Sequence, residues 1–430
     1  MITTAYINIW EKRVGAIAWD ANNGLISFEY EPSFIANNWD LSPIKMPIHG
    51  SERRVFSFPA LRGITTFKGL PGLLADVLPD KYGSSIINAW LISNGRPSDS
   101  MSPVELLCFI GSRGMGALEF EPVLPISNSA ATKIELSSLI QISQEILSGK
   151  QKFRTNLLSD EAKALSDILK IGSSAGGARA KAVIAFNPVT NEIRSGQTNA
   201  PKGFTHWLIK FDGVSDKQLG TSLGYGRVEM AYYLMAKEAE IEMTECRLLE
   251  ENDRAHFMTK RFDRVHGEGK IHVQSFCAIA HYDFNEITSY SYEQLFETMR
   301  SMLLPYTDAE QLYRRMVFNV MARNCDDHTK NFSFLMDKTG KWKLAPAFDV
   351  CHAYRPGSSW VSQHSMSING KRQNINRDDL LQVAHKMNIK KADTIIDKVH
   401  NAVSKWNSFA TITNVNKDLK EAIEKTLLLL

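Results

Sequence analysis

The chain has 430 residues, a formal net charge of +3 at pH 7, 43% hydrophobic residues and 23% charged residues. This composition is ordinary for a globular protein, and the length suffices for two or three domains. The small charge, without a long lysine or arginine block, gives no support for direct nucleic-acid binding. No apolar run approaches the ~18 residues of a membrane-spanning helix.

The cysteines bear on the compartment in which the protein works. Cys108, Cys246, Cys277, Cys325 and Cys351 are odd in number and widely spaced, and no C-x-x-C pair occurs. This spacing predicts neither a disulfide framework nor a cysteine zinc site. The N-terminal stretch "MITTAYINIWEKRVG" lacks the basic and apolar regions of a signal peptide. We therefore expect a cytoplasmic protein.

The first 125 residues open as short strands joined by turns. "AYINIW" and "VGAIAWD" predict a hairpin that turns at Glu11–Arg13, and "NNG" at Asn22–Gly24 predicts the turn before the strand "LISFEYEP". A helical pattern follows in "LPGLLADVLPDKYGSSIINAWLISNG". The stretch "EPVLPISNSAATKI" then interrupts the pattern, so we place the first domain at 1–125.

Residues 126–262 contain a second β-rich segment. "KAVIAFNPVTNEIRSG" predicts a hairpin that turns at Asn187–Asn191, and "FTHWLIKF" predicts a further strand. "CRLLE" and "AHFMTK" predict another hairpin across "ENDR". Before that hairpin, "GRVEMAYYLMAKEAEI" has the apolar spacing of a helix.

Residues 263–430 are predicted to be mainly helical. "TDAE" at Thr307–Glu310 has the form of a capping box and is expected to start the helix "AEQLYRRMVFNVMARN". That helix leads directly into "NCDDHTKNFSF", Asn324–Phe334, which concentrates polar side chains beside a predicted strand.

This polar segment carries the strongest chemical signal. Asp326 and Asn331 have the spacing D-x-x-x-x-N, and "FSFLMDKTGKWKLAP" predicts a hairpin that returns Asp349, in "AFDV", to Asn331. Phosphotransferases use one Asp to orient or deprotonate a hydroxyl, and an Asn with a second Asp to hold Mg²⁺ on phosphates. We therefore assign Asp326 to catalysis and both Asn331 and Asp349 to the metal, although the spacing alone is weak evidence.

Three neighbours of Asp326 have less certain chemistry. His328 is expected to be a hydrogen-bonded histidine that braces the catalytic loop rather than a metal ligand. Lys330 is either a cation that offsets charge at the phosphates or a solvated lysine. Asp327 is expected to lie behind the site or in solvent.

The upstream order of residues also fits a kinase-like domain. A strand lysine, Lys210 in "LIKF", is followed by a helix with Glu229, two strands and "KRFDR". Kinase-like folds place a strand lysine on the nucleotide phosphates and pair adenine with a connector segment. Lys260 to Phe262 would be that connector, and Asp263 would bond the ribose hydroxyls. Glu229 would either pair with Lys210 or face solvent.

A glycine- and serine-rich stretch, "GSSAGGARAKA", lies between a predicted helix and the first strand of the predicted nucleotide lobe. Gly176 and Gly177 would let the backbone approach phosphate closely, although the stretch is not a P-loop and a flexible linker is the alternative. Ser173 or Ser174, on a loop over an active site, could itself accept phosphate. The added charge would expel the loop from the nucleotide pocket.

Together, "SSAGGARAKA", "KRFDR", "DDHTKNFSF", "APAFDV" and "HSMSINGKR" resemble the HipA-like serine/threonine kinase toxins of bacterial toxin–antitoxin modules. The resemblance runs nearly end to end, because "LPGLLADVLPDKYG" and "GSRGMGALEF" are similar to the N-terminal region of full-length members. It implies an α+β fold. A small N-terminal α/β domain (1–125) would precede a protein-kinase-like domain, with a β-rich nucleotide lobe (126–262) and a mainly helical C-terminal lobe (263–430).

The resemblance implies ATP and Mg²⁺ as cofactors and gives roles to individual residues. The catalytic position of the family falls on Asp326, and its metal-binding positions fall on Asn331 and Asp349. Its nucleotide-binding positions fall on Lys210 and on Lys260 to Asp263. The autophosphorylated serine of the family falls on Ser174, and Ser173 beside it leaves the position open to a shift. "AFDV" lacks the glycine of a D-F-G motif, as family members do, which argues against the activation-loop control of ordinary protein kinases.

The resemblance also implies partners. Family members phosphorylate proteins, with a glutamyl-type aminoacyl-tRNA synthetase known for the founding member, and they usually pair with a helix-turn-helix, HipB-like antitoxin that binds operator DNA. No antitoxin-like segment is visible in this sequence, so a partner in trans is expected. Contact with DNA would be mainly indirect, and no membrane is involved.

The residues leave two other functions open. A lipid or small-molecule kinase could use the same catalytic set, although no basic membrane-facing run occurs. A non-catalytic corepressor that acts with an antitoxin and DNA would carry a decayed site. The intact Asp326, Asn331 and Asp349 argue against such decay.

Overall fold

A computed structural model of the chain describes residues 2–50, 54–124, 136–148, 168–169, 179–196, 200–216, 220–221, 223–265 and 269–430. The chain divides into two compact units. The first unit comprises Met1–Trp39, Ile48–Gly226 and Arg247–His272, and the second comprises Asp40–Pro47, Arg227–Cys246 and Val273–Leu430. The predicted boundary at residue 125 lies outside the described residues, so the division into three domains stays a prediction.

The strands are β1 (Thr4–Ile9), β2 (Lys12–Asp20), β3 (Leu25–Tyr30), β4 (Val55–Phe56), β5 (Leu118–Glu121), β6 (Lys181–Phe186), β7 (Ile193–Ser195), β8 (Thr205–Lys210), β9 (Ser215–Asp216), β10 (Gly220–Thr221), β11 (Cys246–Glu251), β12 (Arg254–Lys260), β13 (Arg264–Val265), β14 (Gly269–Lys270), β15 (His272–Ser275), β16 (Ser333–Met336) and β17 (Trp342–Leu344). The α-helices span Pro32–Ile35, Gly72–Ala75, Lys81–Ser93, Pro103–Ile110, Leu136–Ser148, Tyr225–Glu238, Phe276–Ala280, Tyr292–Ser301, Tyr306–Met321, Arg377–Met387, Ala392–Val403, Trp406–Ile412 and Lys417–Glu424. None of the helices in the described ranges is long and apolar enough to cross a membrane.

The first sheet of the first unit has the strand order β4-β3-β2-β1-β5, with every neighbouring pair antiparallel. The predicted β1–β2 hairpin forms, and its turn lies one residue earlier than expected. Trp10 and Glu11 both have positive φ, 47° and 66°. Positive φ at both central residues is typical of the type I′ turn, whose twist matches that of the two strands. Ile7 and Ile9 are fully buried, as the alternation along β1 requires.

The second sheet has the order β11-β12-β8-β6-β7. All six residues of β6 are buried, as expected for an apolar strand inside a sheet. The predicted hairpins form, and Asn252 and Asp253 turn the chain between β11 and β12 with φ of 46° and 63°. Lys210, at the end of β8, stands between Lys181 on β6 and Phe257 on β12 in the register.

The predicted helical stretch at residues 70–95 forms as two helices rather than one. Gly72–Ala75 ends before Pro79, which disfavours helical backbone at the preceding residue. Asp80 then caps Lys81–Ser93, because its carboxylate accepts a hydrogen bond from the Gly83 N–H at 2.6 Å.

The second unit is mainly helical and contains the sheet β15-β16-β17. Its core surrounds the helix Tyr306–Met321, which we call the central helix, and every residue from Leu312 to Met321 is buried. The predicted capping box is wrong. The helix begins at Tyr306 with Pro305 as its N-cap, and no side chain caps it. The Asp308 carboxylate accepts from the Leu344 N–H at 2.7 Å instead, which ties the helix to β17.

Candidate active site

The central helix ends at the polar segment. Ala322 is its C-cap, and Arg323 follows in the left-handed region with φ of 55°. The Asn324 N–H then donates to Asn319 O at 2.9 Å, and the Cys325 N–H donates to Ala353 O at 3.0 Å. These backbone bonds fix the chain where it leaves the helix, directly before Asp326.

Asp326 faces the solvent, with its side chain 47% exposed. A 3₁₀ turn, Thr329–Asn331, follows it. The Asn331 amide Nδ2 donates to the Asp326 carbonyl at 2.7 Å, so the oxygen of that amide is left for other partners. The carboxylate of Asp326 is therefore accessible to a substrate. Asn331, which the sequence predicts to bind the metal, is hydrogen-bonded to the backbone of Asp326.

His328 braces this loop. It is the N-cap of the 3₁₀ turn, and its Nδ1 accepts a hydrogen bond from the Lys330 N–H at 3.2 Å. Its Nε2 lies 3.8 Å from Asp326 Oδ1, and its ring packs on Phe284 with centroids 5.2 Å apart. The Lys330 ammonium lies 5.5 Å from the centroid of the same Phe284 ring. The expectation that His328 holds the loop agrees with this geometry.

The β16–β17 hairpin forms as predicted, with three paired positions from Phe334–Leu344 to Met336–Trp342. After it, Asp349 adopts φ of 53°, in the left-handed region that few non-glycine residues occupy. Asp349 and Asn331 line the same cavity of about 20 Å³. The hairpin therefore returns the second Asp to the Asn, as the sequence predicted.

The cavity has the lining that a hard cation requires. Its polar lining residues are Arg315, Asn319, Asn324, Asp326, Asp327, Asn331 and Asp349. Its volume holds about one water-sized occupant. The Oδ1 atom of Asn324 is buried and, within the described residues, has no hydrogen-bond partner. Carboxylate and amide oxygens with an unsatisfied acceptor fit Mg²⁺ better than a soft metal.

No group of three or more His, Cys, Asp or Glu side chains that could hold a metal occurs in the described ranges. Mg²⁺ in proteins usually keeps several waters and binds through one or two carboxylates together with substrate phosphates.

Asp327 is buried, and its partners were not predicted from sequence. Its Oδ1 accepts from the Ser365 N–H at 2.7 Å, and its Oδ2 accepts from Tyr292 Oη at 2.8 Å and from His364 Nδ1 at 2.8 Å. Burial works against a charged imidazole, but the ion pair with Asp327 outweighs it and raises the pKa of His364 to about 10. His364 belongs to the quoted stretch "HSMSINGKR", yet no spacing rule linked it to Asp327.

Lys210, Lys260 and Phe262 are half-buried in the first unit. The Lys210 ammonium lies 5.8 Å from the Phe257 ring centroid, and Lys260 ends β12 opposite Trp207. Glu229 is buried in the second unit, on the helix Tyr225–Glu238. Their predicted roles toward a nucleotide stay predictions.

The partners of Asp263 were not predicted from sequence, and its predicted contact with ribose stays a prediction. Its side chain is fully buried. Its Oδ1 accepts from Arg261 Nε at 2.7 Å, and its Oδ2 accepts from Arg261 Nη2, Arg264 Nη1 and the Gly116 N–H at 2.6–2.8 Å. Burial disfavours the carboxylate, yet the two guanidinium groups hold the pKa of Asp263 well below its usual range. Asp263 is a structural anion that joins the N-terminal strands to the segment after β12.

Four candidate residues, Ser173, Ser174, Gly176 and Gly177, lie outside the described residues. Their predicted roles in covering phosphate and in autophosphorylation stay predictions.

Comparisons with known proteins agree with this arrangement of elements. The chain matches the family model of the HipA-like C-terminal domain over residues 173–406, which is more than half of the chain. It also matches the model of the HipA N-terminal domain over residues 5–121. The two matches cover both the β-rich N-terminal region and the candidate active site.

A solved structure similar to this chain is HipA in the complex entitled "Shewanella oneidensis MR-1 Toxin Antitoxin System HipA, HipB and its operator DNA complex". It has 15% sequence identity, a TM-score of 0.64, and covers 98% of this chain and 94% of that chain. At this identity the match shows the fold. The predicted fold class, an N-terminal domain followed by a kinase-like domain, is confirmed.

Two relatives from Sinorhizobium fredii match over shorter segments. "Putative kinase Y4mE" is 32% identical over 110 residues, which are 23% of this chain and 26% of the relative. "Putative kinase Y4dM" is 24% identical over 174 residues, which are 39% of this chain and 41% of the relative. The chain thus matches less than half the length of each curated relative.

Proposed function

This chain belongs to the HipA-like family, and from that premise we propose that it is an ATP-dependent serine/threonine protein kinase that acts as the toxin of a toxin–antitoxin module. One observation carries the proposal: Asp326, Asn331 and Asp349 line a single cavity, in the chain order that phosphotransfer requires. The exposed carboxylate of Asp326, the hydrogen-bonded amide of Asn331 and the positive φ of Asp349 occur together, which argues against a decayed site.

Asp326 is the catalytic residue in this proposal. Its exposed carboxylate would accept a hydrogen bond from the serine or threonine hydroxyl of the substrate and take its proton as the oxygen attacks. The backbone carbonyl of Asp326 accepts a hydrogen bond from Asn331 Nδ2, and His328 Nε2 lies 3.8 Å from the Asp326 carboxylate. These contacts limit its movement, which supports a fixed geometry for the attacking oxygen.

Asn331 and Asp349 would hold Mg²⁺, which would offset the charge of the ATP phosphates when both are bound. Asn331 is suited to this task because its Nδ2 is engaged by Asp326, which directs Oδ1 to other partners. Lys330, over the Phe284 ring, would add positive charge beside the phosphates. Lys210 would contact the phosphates, and the backbone of Lys260 to Phe262 would pair with adenine.

We propose that the loop containing Gly176 and Gly177 covers the phosphates and that Ser174, or Ser173 beside it, is phosphorylated by the kinase itself. A phosphoserine brings about −1.5 to −2 charges, which would repel the nucleotide phosphates and expel the loop. This step would inactivate the enzyme.

The proposed partner is a HipB-like helix-turn-helix antitoxin supplied in trans, because the similar HipA structure is a complex with HipB and operator DNA. The proposed substrate is a cytosolic protein, for which an aminoacyl-tRNA synthetase is the first candidate. Contact with DNA would be mainly through the antitoxin, which agrees with a net charge of only +3.

The module assignment is tested by searching the genes beside this chain for a small helix-turn-helix protein and by expressing the chain in a bacterial host with and without that protein. We expect growth arrest from the wild type, none from Asp326→Ala, and rescue of growth by the neighbouring protein. Growth arrest that survives Asp326→Ala would instead indicate a non-catalytic corepressor.

A further inference from the structure

Asn324 presents a buried side-chain oxygen that accepts no hydrogen bond from the described residues. Its side chain lines the cavity and is 4% exposed as a residue. Its Nδ2 donates to Asn319 Oδ1 at 3.0 Å, whereas its Oδ1 has no hydrogen-bond partner in the described part of the chain. Buried acceptors are nearly always satisfied in native proteins, so an unpartnered oxygen that lines a cavity is placed to contact an occupant.

The orientation of the Asn324 amide follows from a chain of hydrogen bonds that begins at a carboxylate. Asp327 can only accept, so Tyr292 Oη donates to it at 2.8 Å. The lone pairs of Tyr292 Oη then accept from Asn319 Nδ2 at 3.0 Å, which leaves Asn319 Oδ1 as an acceptor for Asn324 Nδ2. Each donor fixes the orientation of the group that donates to it. The last oxygen, Asn324 Oδ1, accepts no hydrogen bond from the described residues.

The protonation states of His364 and Tyr292 agree with this direction of the hydrogen bonds. His364 lies 2.8 Å from the same Asp327 oxygen, and its raised pKa of about 10 keeps an imidazolium beside the carboxylate. Burial, reinforced by Asp327, raises the pKa of Tyr292 well above its usual value, so its hydroxyl keeps the proton that it donates.

We propose that this relay, Asp327–Tyr292–Asn319–Asn324, presents the Asn324 oxygen to a divalent cation in the cavity, which makes Asn324 a further metal-binding residue. Tyr292 and Asn319 are then positioning residues, because they act only through the amide of Asn324. The inference rests on the proposed function for the identity of the occupant.

The charges of the cavity favour a cation over an anion. Asp326, Asp327 and Asp349 line it, against the guanidinium of Arg315. Because His364 pairs with Asp327, the carboxylates of Asp326 and Asp349 are the two that give the lining its excess of negative charge. Arg315 is itself directed to the Ala345 carbonyl, to which its Nη2 donates at 2.8 Å. Amide and carboxylate oxygens therefore dominate the wall, as in magnesium sites.

The test is the affinity of the full-length protein for Mn²⁺ alone, measured by the loss of the free-ion electron paramagnetic resonance signal. Asn324→Ala removes the proposed ligand, and Asn324→Asp keeps an oxygen there. Tyr292→Phe breaks the relay at a residue that does not line the cavity. Tyr313→Phe is the matched control, because Tyr313 is equally buried and its hydroxyl donates to Leu380 O at 3.0 Å, outside the relay.

We expect one Mn²⁺ site that is lost in Asp349→Asn. Asn324→Ala and Tyr292→Phe should bind Mn²⁺ about tenfold or more weakly, since second-layer partners of metal ligands typically change affinity 10–100-fold. Asn324→Asp should bind at least as tightly as the wild type, and Tyr313→Phe should equal it.

Wild-type affinity in Tyr292→Phe and Asn324→Ala, or no Mn²⁺ site in the wild type, would overturn the inference. Binding of a fluorescent ATP analogue to the wild type in the presence of Mg²⁺ is measured in parallel. If the Mn²⁺ pattern holds while the nucleotide does not bind, the kinase proposal fails and the relay stands.

Discussion

The Nδ1 atom of His364 lies 2.8 Å from Oδ2 of Asp327, and both side chains are almost completely buried. This ion pair joins the segment after Asp326 to a stretch 37 residues further along the chain. The residue next to the proposed catalytic carboxylate is thus held by a charge pair inside the protein. Its contribution to stability should depend on pH in a defined direction.

The pKa of His364 is raised from 6.5 to about 10 in the folded protein. Stabilisation by the pair is therefore fully present below pH ~6.5 and is lost as pH rises through about 10. His364→Gln leaves Asp327 buried without its partner and should lower the free energy of unfolding by about 3–5 kcal/mol near neutral pH. Urea unfolding at pH 6, 7.5 and 9 measures this loss.

The difference between wild type and His364→Gln should shrink as the pH rises. His385→Gln, at an exposed histidine on the helix Arg377–Met387, is the control and should leave stability unchanged. A loss that is the same at all three pH values would contradict a protonated His364.

Asp263 gives a second prediction, because its buried carboxylate lies between two guanidinium groups. Asp263→Asn removes the anion between Arg261 and Arg264, so two buried guanidinium groups lose their charge partner. The variant should lose about 3–5 kcal/mol of unfolding free energy, and Asp253→Asn, at an exposed hairpin turn, should lose almost none. Denaturant unfolding measures both.

The wild type and Asp263→Asn also show whether Asp263 has a structural role or binds ribose. If Asp263 is only structural, ATP and 2′-deoxy-ATP should bind the wild type with similar affinity. A strong preference for ATP that disappears in Asp263→Asn, without loss of stability, would support the ribose assignment.

Self-inactivation gives a third prediction. After incubation with ATP and Mg²⁺, phosphate should appear on Ser174 or Ser173, and the activity toward protein substrates should fall with time. Ser173→Ala combined with Ser174→Ala should keep its initial rate throughout. Mass spectrometry and a time course of phosphate transfer check this, and an equal loss of activity in the double variant would contradict it.

Local signals were sufficient for the hairpins and for part of the site. Trp10 and Glu11, Asn252 and Asp253, and the "DKTG" tip lie between strands whose patterns are readable over a few residues. The return of Asp349 to Asn331 follows from such a hairpin, so the proximity of these two residues could be predicted.

Contacts between distant segments could not be predicted. Asp263 meets Gly116 across 147 positions, and Asp327 meets His364 across 37, with no periodicity to indicate either pair. The capping box failed for the same reason, since the Asp308 carboxylate is used by Leu344, 36 residues away. A short motif does not determine which of two hydrogen-bond donors a carboxylate will bind.

The central claim is that Asp326 is the base that accepts the proton of a hydroxyl as phosphate passes from ATP to that hydroxyl. The most direct measurement is the incorporation of labelled phosphate from ATP, with Mg²⁺, into the protein and a serine-containing protein substrate. Asp326→Asn keeps the shape of the side chain. Asp337→Asn, at the tip of the following hairpin where its carboxylate only accepts local turn hydrogen bonds, is the matched control.

We predict that Asp326→Asn transfers phosphate roughly 10²–10⁴-fold more slowly than the wild type while it binds ATP equally well. Asp337→Asn should match the wild type. Phosphate incorporation that is unchanged in Asp326→Asn, or absent from the wild type despite bound ATP and Mg²⁺, would contradict the account.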